Sequence, residues 1–147
     1  MREIKFRGKH KNPYGDKWVY GYYALEDGEH VIIMPHSTSY EKALKENRPI
    51  PSISVNHTID INTLGQYTGL KDKNGKEIYE GDILRFSEVD TAVVEWNEQY
   101  AYFMAKPIQE YYFDSDVLGH AKEYNNVEII GNIYDNPNLL EKGKEDE

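Results

Sequence analysis

The dipeptide Asn74-Gly75, set between two runs rich in β-branched and aromatic residues, constrains this chain more than any other feature. Two adjacent positions that tolerate φ > 0 are what a tight hairpin needs. The stretch LGQYTGLKDKNGKEIYEGDILRF, residues 64–86, therefore predicts antiparallel arms over 65–70 and 77–79. Lys71, Asp72 and Lys73 read as a charged, solvated approach to the turn. Gly81-Asp82 then marks a bend before the apolar residues 83–86, with Asp82 expected to hydrogen-bond the backbone just after it. Strand, corner and apolar strand are the parts of a small, bent barrel of the SH3-like kind. The expected fold class is mainly β: a β-rich N-terminal lobe and a C-terminal SH3-like barrel, with two or three short helices.

The remaining chain is consistent with strands. Residues 3–7 alternate, with Ile4 and Phe6 on one face, and predict a first strand. Residues 17–24 predict a second, with Trp18, Tyr20 and Tyr22 on one face, returning after Asp27-Gly28 through residues 30–34. Residues 53–61 alternate most clearly, with Ile53, Val55, His57, Ile59 and Ile61 expected inward. Residues 91–96 and 100–105 predict a further hairpin, and 127–134 a last strand in which Gly131 marks a kink or a close backbone approach. Helical signals are brief. Thr38 and Glu41 have capping-box spacing ahead of residues 40–46, residues 115–124 are ambiguous, and Asn136-Pro137 is a helix-start pair. Pro49 and Pro51 suggest a division into an N-terminal lobe over 1–51 and a barrel region over 52–142, followed by a disordered acidic tail over 143–147.

Charge narrows the function classes. Residues 1–50 hold nine Lys and Arg against seven Asp and Glu, a net of +2, while residues 51–147 hold eight against nineteen, a net of −11. An acidic majority opposes nonspecific binding to nucleic acid over most of the surface, leaving the basic start as the one place where it fits. With no cysteine, thiol nucleophiles, thiolate metal sites and disulfides are excluded. No apolar run reaches membrane-spanning length, and the opening MREIKFRGKH has no apolar core for a signal sequence, so a cytoplasmic location is expected.

Candidate chemistry is sparse. The histidines at 10, 30, 36, 57 and 120 show no metal-ligand spacing, and His57 reads as a core histidine with a local partner. Glu77, Glu80 and Asp82 read as a solvated face, and no phosphate loop or nucleophile elbow is present. Neither a cofactor, a metal nor an enzymatic activity is expected. Arg7, Lys9, Lys11, Lys17 and Trp18 are the candidate nucleic-acid-binding residues, because cations over stacking rings hold single strands without sequence readout. The competing reading makes the rings core and the lysines guards of an edge strand. The tyrosine-rich strands also suit a protein interface, since rigid amphipathic rings bind at low entropic cost.

The opening MREIKFRG…WVYGYY, the central GQYTGLKDKNGKEIYEGDI, the VEW hairpin and the closing IIGNIYDNPNLL resemble the YopX family, in the family's order and over nearly the whole chain. The resemblance implies a mainly β fold with an SH3-like barrel in the second half, and a phage or prophage origin in a bacterial cytoplasm. It carries over no activity and no catalytic residue. The reading that results is a non-catalytic accessory protein that binds a host or phage protein or assembles with itself as a homo-oligomer. The alternative is a nucleic-acid-binding accessory using the basic, aromatic N-terminal strands. An acidic protein that competes with nucleic acid for a host partner is a weaker third reading.

Overall fold

The computed structural model describes residues 1–11, 17–34, 45–47, 55–87, 90–109, 118–119 and 126–141. The chain is mainly β and forms two compact units, one of Ile4–Gln66 and one of Met1–Glu3 with Tyr67–Glu147. The division falls inside a strand, later than the proline run at 49–51, which lies outside the described residues.

In the N-terminal unit, β1 (Phe6–His10), β2 (Trp18–Glu26), β3 (Glu29–Met34) and the first part of β4 (Val55–Lys71) pair antiparallel in sequence order. β4 also pairs with β1, which closes the four strands into a ring. Val19, Ile32 and Ile59 are buried inside it, with Phe6, Tyr23 and Leu64 packed against them. The first strand begins at Phe6, and Ile4 is exposed.

The expected alternation over 53–61 fails at its end, where Ile59 is buried and Ile61 is exposed. The cause is a bulge: Arg7 pairs with Gly65, but Lys9 pairs with Asp60. Within it the Thr63 hydroxyl accepts the Lys9 N–H at 2.8 Å and donates to the Asp60 carbonyl at 2.6 Å. The Asp60 carboxylate accepts the Asn62 N–H at 3.0 Å. Side-chain bonds replace ladder bonds here, and the extra residues turn outward.

In the C-terminal unit, the end of β4 pairs with β5 (Glu77–Tyr79), Tyr67 opposite Tyr79. A four-stranded antiparallel sheet follows in the order β8 (Tyr102–Pro107), β7 (Thr91–Asn97), β6 (Asp82–Arg85), β9 (Glu128–Asn132). Its core comprises Ile78, Leu84, Ala92, Val94, Phe103, Ala105, Leu118 and Val127.

The organising hairpin forms where expected, but its turn works differently. Gly75 takes φ 79° while Asn74 does not enter the positive region, so the pair does not act as two adjacent left-handed residues. Asp72 is buried rather than solvated. Its Oδ1 accepts the N–H groups of Asn74 and Lys76, both at 2.9 Å, and its Oδ2 accepts the Ile129 N–H at 3.1 Å. One carboxylate thus shapes the loop and ties it to β9. Asp82, 1% exposed, accepts the N–H of Tyr79, on the backbone before it, at 2.8 Å.

Gly131 marks a close approach: a Cβ there would lie 2.5 Å from Asn136 Oδ1. Asn136 spends that oxygen on the Asn132 N–H at 3.2 Å and does not cap the helix it precedes. That helix is one 3-10 turn, Pro137–Leu140, with none of its residues buried. The expected helix over 40–46 lies mostly outside the described residues, although Asn47 takes φ 49°, a conformation that commonly ends helices. Of 115–124, only Leu118 and Gly119 are described, and the tail over 143–147 lies outside. No helix among the described residues is long and apolar enough to cross a membrane.

Candidate functional site

Antiparallel register decides which N-terminal residues meet. Arg7 lies opposite Tyr20 and Lys9 opposite Trp18, so all four side chains leave the same face of β1 and β2. Tyr22, two residues beyond Tyr20, joins that face by alternation. This is the face away from Val19, and it leaves Tyr20 at 43% and Tyr22 at 56% exposure. The Arg7 guanidinium carbon sits 4.5 Å and the Lys9 ammonium 5.6 Å from the centre of the Trp18 ring. Such contacts contribute about 0.5–2 kcal/mol each, more when desolvated.

Of the five residues marked by the sequence, three converge: Arg7, Lys9 and Trp18. Arg7 is 5% exposed, so its charge is held inside the cluster. Lys11 turns to Glu29, with Nζ 3.8 Å from the carboxylate, and its N–H donates to the Thr58 carbonyl at 2.8 Å. Lys17 is exposed, and its carbonyl accepts the His10 N–H at 3.0 Å. The sequence grouped Trp18, Tyr20 and Tyr22 by period, but period alone does not say which face is outside.

His57 has a ring partner rather than a metal set. Its ring lies edge-on to His10, with centroids 5.1 Å apart. Partial burial, then the charge of His10, holds the His57 imidazole below its ordinary value of 6.5. Among the described residues no group of three or more His, Asp and Glu is placed to hold a metal ion. Glu77, Glu80 and Asp82 are not the solvated face expected: Asp82 is buried, Glu77 and Glu80 are half-buried, and the Glu77 carboxylate accepts the Tyr79 hydroxyl at 2.9 Å. Glu128 is the centre of an exposed ion cluster, 2.6 Å from Arg85 Nη2 and 3.1 Å from Lys73 Nζ. The hydrogen bond from Arg85, then that from Lys73, holds its carboxyl below the usual value.

A second aromatic group, unmarked by any motif, sits at the tip of the β7–β8 hairpin. Asn97 Oδ1 accepts the Tyr100 N–H at 3.0 Å, and the Asn97 carbonyl accepts the Ala101 N–H at 2.8 Å. Ala101 is held at φ 56°, a region that residues other than glycine enter at a cost of about 1 kcal/mol. Tyr100 stacks on Tyr102 at 6.4 Å, and Trp96 meets Phe103 edge-on at 4.9 Å. Tyr100 is 66% exposed and Trp96 41%.

The comparisons with known proteins agree with this architecture. Among curated proteins none matches the chain. A crystal structure of protein EF1440 from Enterococcus faecalis is similar in fold, with a TM-score of 0.50 at 21% identity over 95% of this chain and 99% of that one. The family described as YopX protein matches residues 5–141, in agreement with the resemblance of the opening, central and closing motifs. On that match over nearly its whole length, the chain belongs to the YopX family.

Proposed function

We propose that this protein is a non-catalytic accessory that works by self-assembly, through the aromatic tip of the β7–β8 hairpin. The observation that carries the reading is the pair of exposed rings, Tyr100 and Trp96, on a turn pinned by Asn97 and strained at Ala101. Rigid, exposed aromatic side chains are the residues that dominate protein interfaces, and a backbone outlier at a surface tip is a common mark of function. β8 supplies a second element: among the described strands it pairs with β7 alone, and such an edge can accept another strand.

The C-terminal strands are read here as an SH3-like barrel, supported by the bent succession of β5, β6 and β7 around Gly81. The cellular setting proposed is a bacterial cytoplasm, with a phage or prophage as the source. That setting is supported by the family resemblance. The same tip suits a host or phage protein as a further partner.

Sedimentation velocity over a wide concentration range tests the reading. The wild type should sediment as an oligomer, and W96A/Y100A should shift toward monomer with its circular dichroism unchanged. A wild type that is monomeric throughout overturns the proposal, as does an oligomer indifferent to the loss of both rings.

A further inference from the structure

We infer that Asn74 is a site of spontaneous chemical modification, deamidation to aspartate and isoaspartate, and that the carboxylate of Asp72 sets its rate by holding the turn closed. The inference is independent of the self-assembly reading, because it concerns the loop between β4 and β5.

The sequence supplies the reactive pair. Asn74 is the only asparagine in the chain followed by glycine. Both residues are exposed, and the space over Gly75 is open, since a Cβ built there would meet nothing within 4 Å. Glycine puts no side chain in the way when its backbone nitrogen approaches the side-chain carbonyl of the residue before it. In that step the Gly75 nitrogen gives its proton to solvent and bonds to Asn74 Cγ, the side-chain amide leaves as ammonia, and a succinimide ring remains. Water then opens the ring. Addition at the side-chain carbonyl gives aspartate, while addition at the backbone carbonyl gives isoaspartate, whose main chain runs through Cβ and Cγ. The net change is one water consumed and one ammonia released, with no oxidant or reductant.

Tertiary structure supplies the restraint. The Gly75 N–H donates to the Asp72 carbonyl at 3.0 Å, and the N–H groups on either side of it, of Asn74 and Lys76, donate to Asp72 Oδ1, both at 2.9 Å. Asp72 is itself buried, and its Oδ2 is fixed by the Ile129 N–H at 3.1 Å. For the Gly75 nitrogen to reach Asn74 Cγ, the peptide unit between them must rotate, which breaks its bond to the Asp72 carbonyl and displaces Lys76. Reaction therefore passes through a local opening of the turn, and its rate is that of a free chain scaled by the open fraction. Isoaspartate has a lasting effect. Its extra backbone carbon changes the spacing between the N–H groups of Asn74 and Lys76, so one carboxylate oxygen no longer serves both. The seat of Asp72 is lost, and with it the acceptor that holds the start of β9.

The test holds the full chain at mildly alkaline pH and physiological temperature and follows each asparagine by peptide-mapping mass spectrometry, beside the free peptide KDKNGKEI, residues 71–78. Asn74 should be the first asparagine of the folded protein to convert, yet about tenfold or more slower than in the peptide. D72A should raise the rate in the protein about tenfold, with its circular dichroism unchanged. V94A weakens the core of the same unit without touching the turn, and should leave the rate near that of the wild type. In the isoaspartate fraction of aged protein, the Ile129 amide should exchange its hydrogen faster than in fresh protein. The inference is overturned by an Asn74 no more reactive than the other asparagines, by a wild type that reacts at the rate of the peptide, or by D72A as slow as the wild type. Acceleration in V94A equal to that in D72A also overturns it, in favour of global unfolding.

Discussion

In the N-terminal unit each described strand lies between hydrogen-bonded neighbours, since β4 returns to pair with β1, whereas among the described strands the C-terminal sheet ends at β8 and β9. The closed ring pairs backbone with backbone along its strands, and side chains stand in for ladder bonds where β4 bulges at Thr63. The open sheet satisfies its turns and margins with buried or half-buried polar side chains: Asp72 serves the hairpin loop and β9, Asp82 the bend, and Asn136 the end of β9. Their cores differ as well: among the described residues, the buried cluster of the ring holds three aliphatic side chains and that of the sheet eight apolar residues. Closure therefore substitutes for core. A unit without strand edges loses fewer backbone hydrogen bonds to water, and a small interior suffices to hold it.

That comparison predicts different weak points. In the ring, the vulnerable positions are those where backbones approach most closely. A Cβ at Gly21 would sit on the carbonyl oxygen of Ile33 in the neighbouring strand, and backbone cannot yield as a side chain can. Gly21→Ala should therefore destabilise the N-terminal unit by about 3 kcal/mol or more. Each unit holds one of the two tryptophans, so in the W96F background Trp18 fluorescence reports on the ring, and in the W18F background Trp96 reports on the sheet, during denaturant unfolding. An equal shift of both signals would break the comparison, since it would mean that closure does not localise the damage.

In the open sheet the vulnerable groups are the carboxylates. Asp72→Ala leaves the N–H groups of Asn74, Lys76 and Ile129 without their acceptor, at a cost of about 2 kcal/mol. Asp72→Asn keeps an oxygen for the loop and should lose less. Unfolding midpoints for the two variants measure the difference, and equal losses would show that the bond to Ile129 matters more than the loop.

The smallest effect concerns His57. Its folded value lies below 6.5, and the unfolded chain regains the ordinary one. Between those values the unfolded state binds more protons, so the histidine leaves stability intact above 6.5 and removes some as the pH falls through 6.5 toward the folded value. His57→Asn should reduce the fall in melting temperature between about pH 7.5 and about pH 5.5. An unchanged pH profile would sharpen the comparison in another way, by placing the ring's acid sensitivity elsewhere.

Much of the architecture was legible because it is local. Alternation and turn residues located β2, β3, β7 and β8 to within two residues, and the hairpin arms at 65–70 and 77–79 agree with β4 and β5. Gly131 announced a close approach, which Asn136 supplies. The register over 53–61 was not legible to its end, because the bulge depends on β1 arriving to offer the Lys9 N–H to Thr63. The role of Asp72 was hidden for a like reason: its third partner, Ile129, lies 57 residues away in the chain. At the candidate site, the sequence named the cations and Trp18 but could not tell that Arg7 would be buried on the indole while Tyr20 and Tyr22 stayed outside.

The sequence by itself determined the β content, the hairpins and the family, since these follow from side-chain period, turn chemistry and ordered motifs along the chain. Tertiary structure alone decided the closure of β4 on β1, the inward or outward sense of each face, and the partners of the buried carboxylates. The physical reason is that period fixes which residues share a face, while only the arrival of distant strands fixes which face is dry.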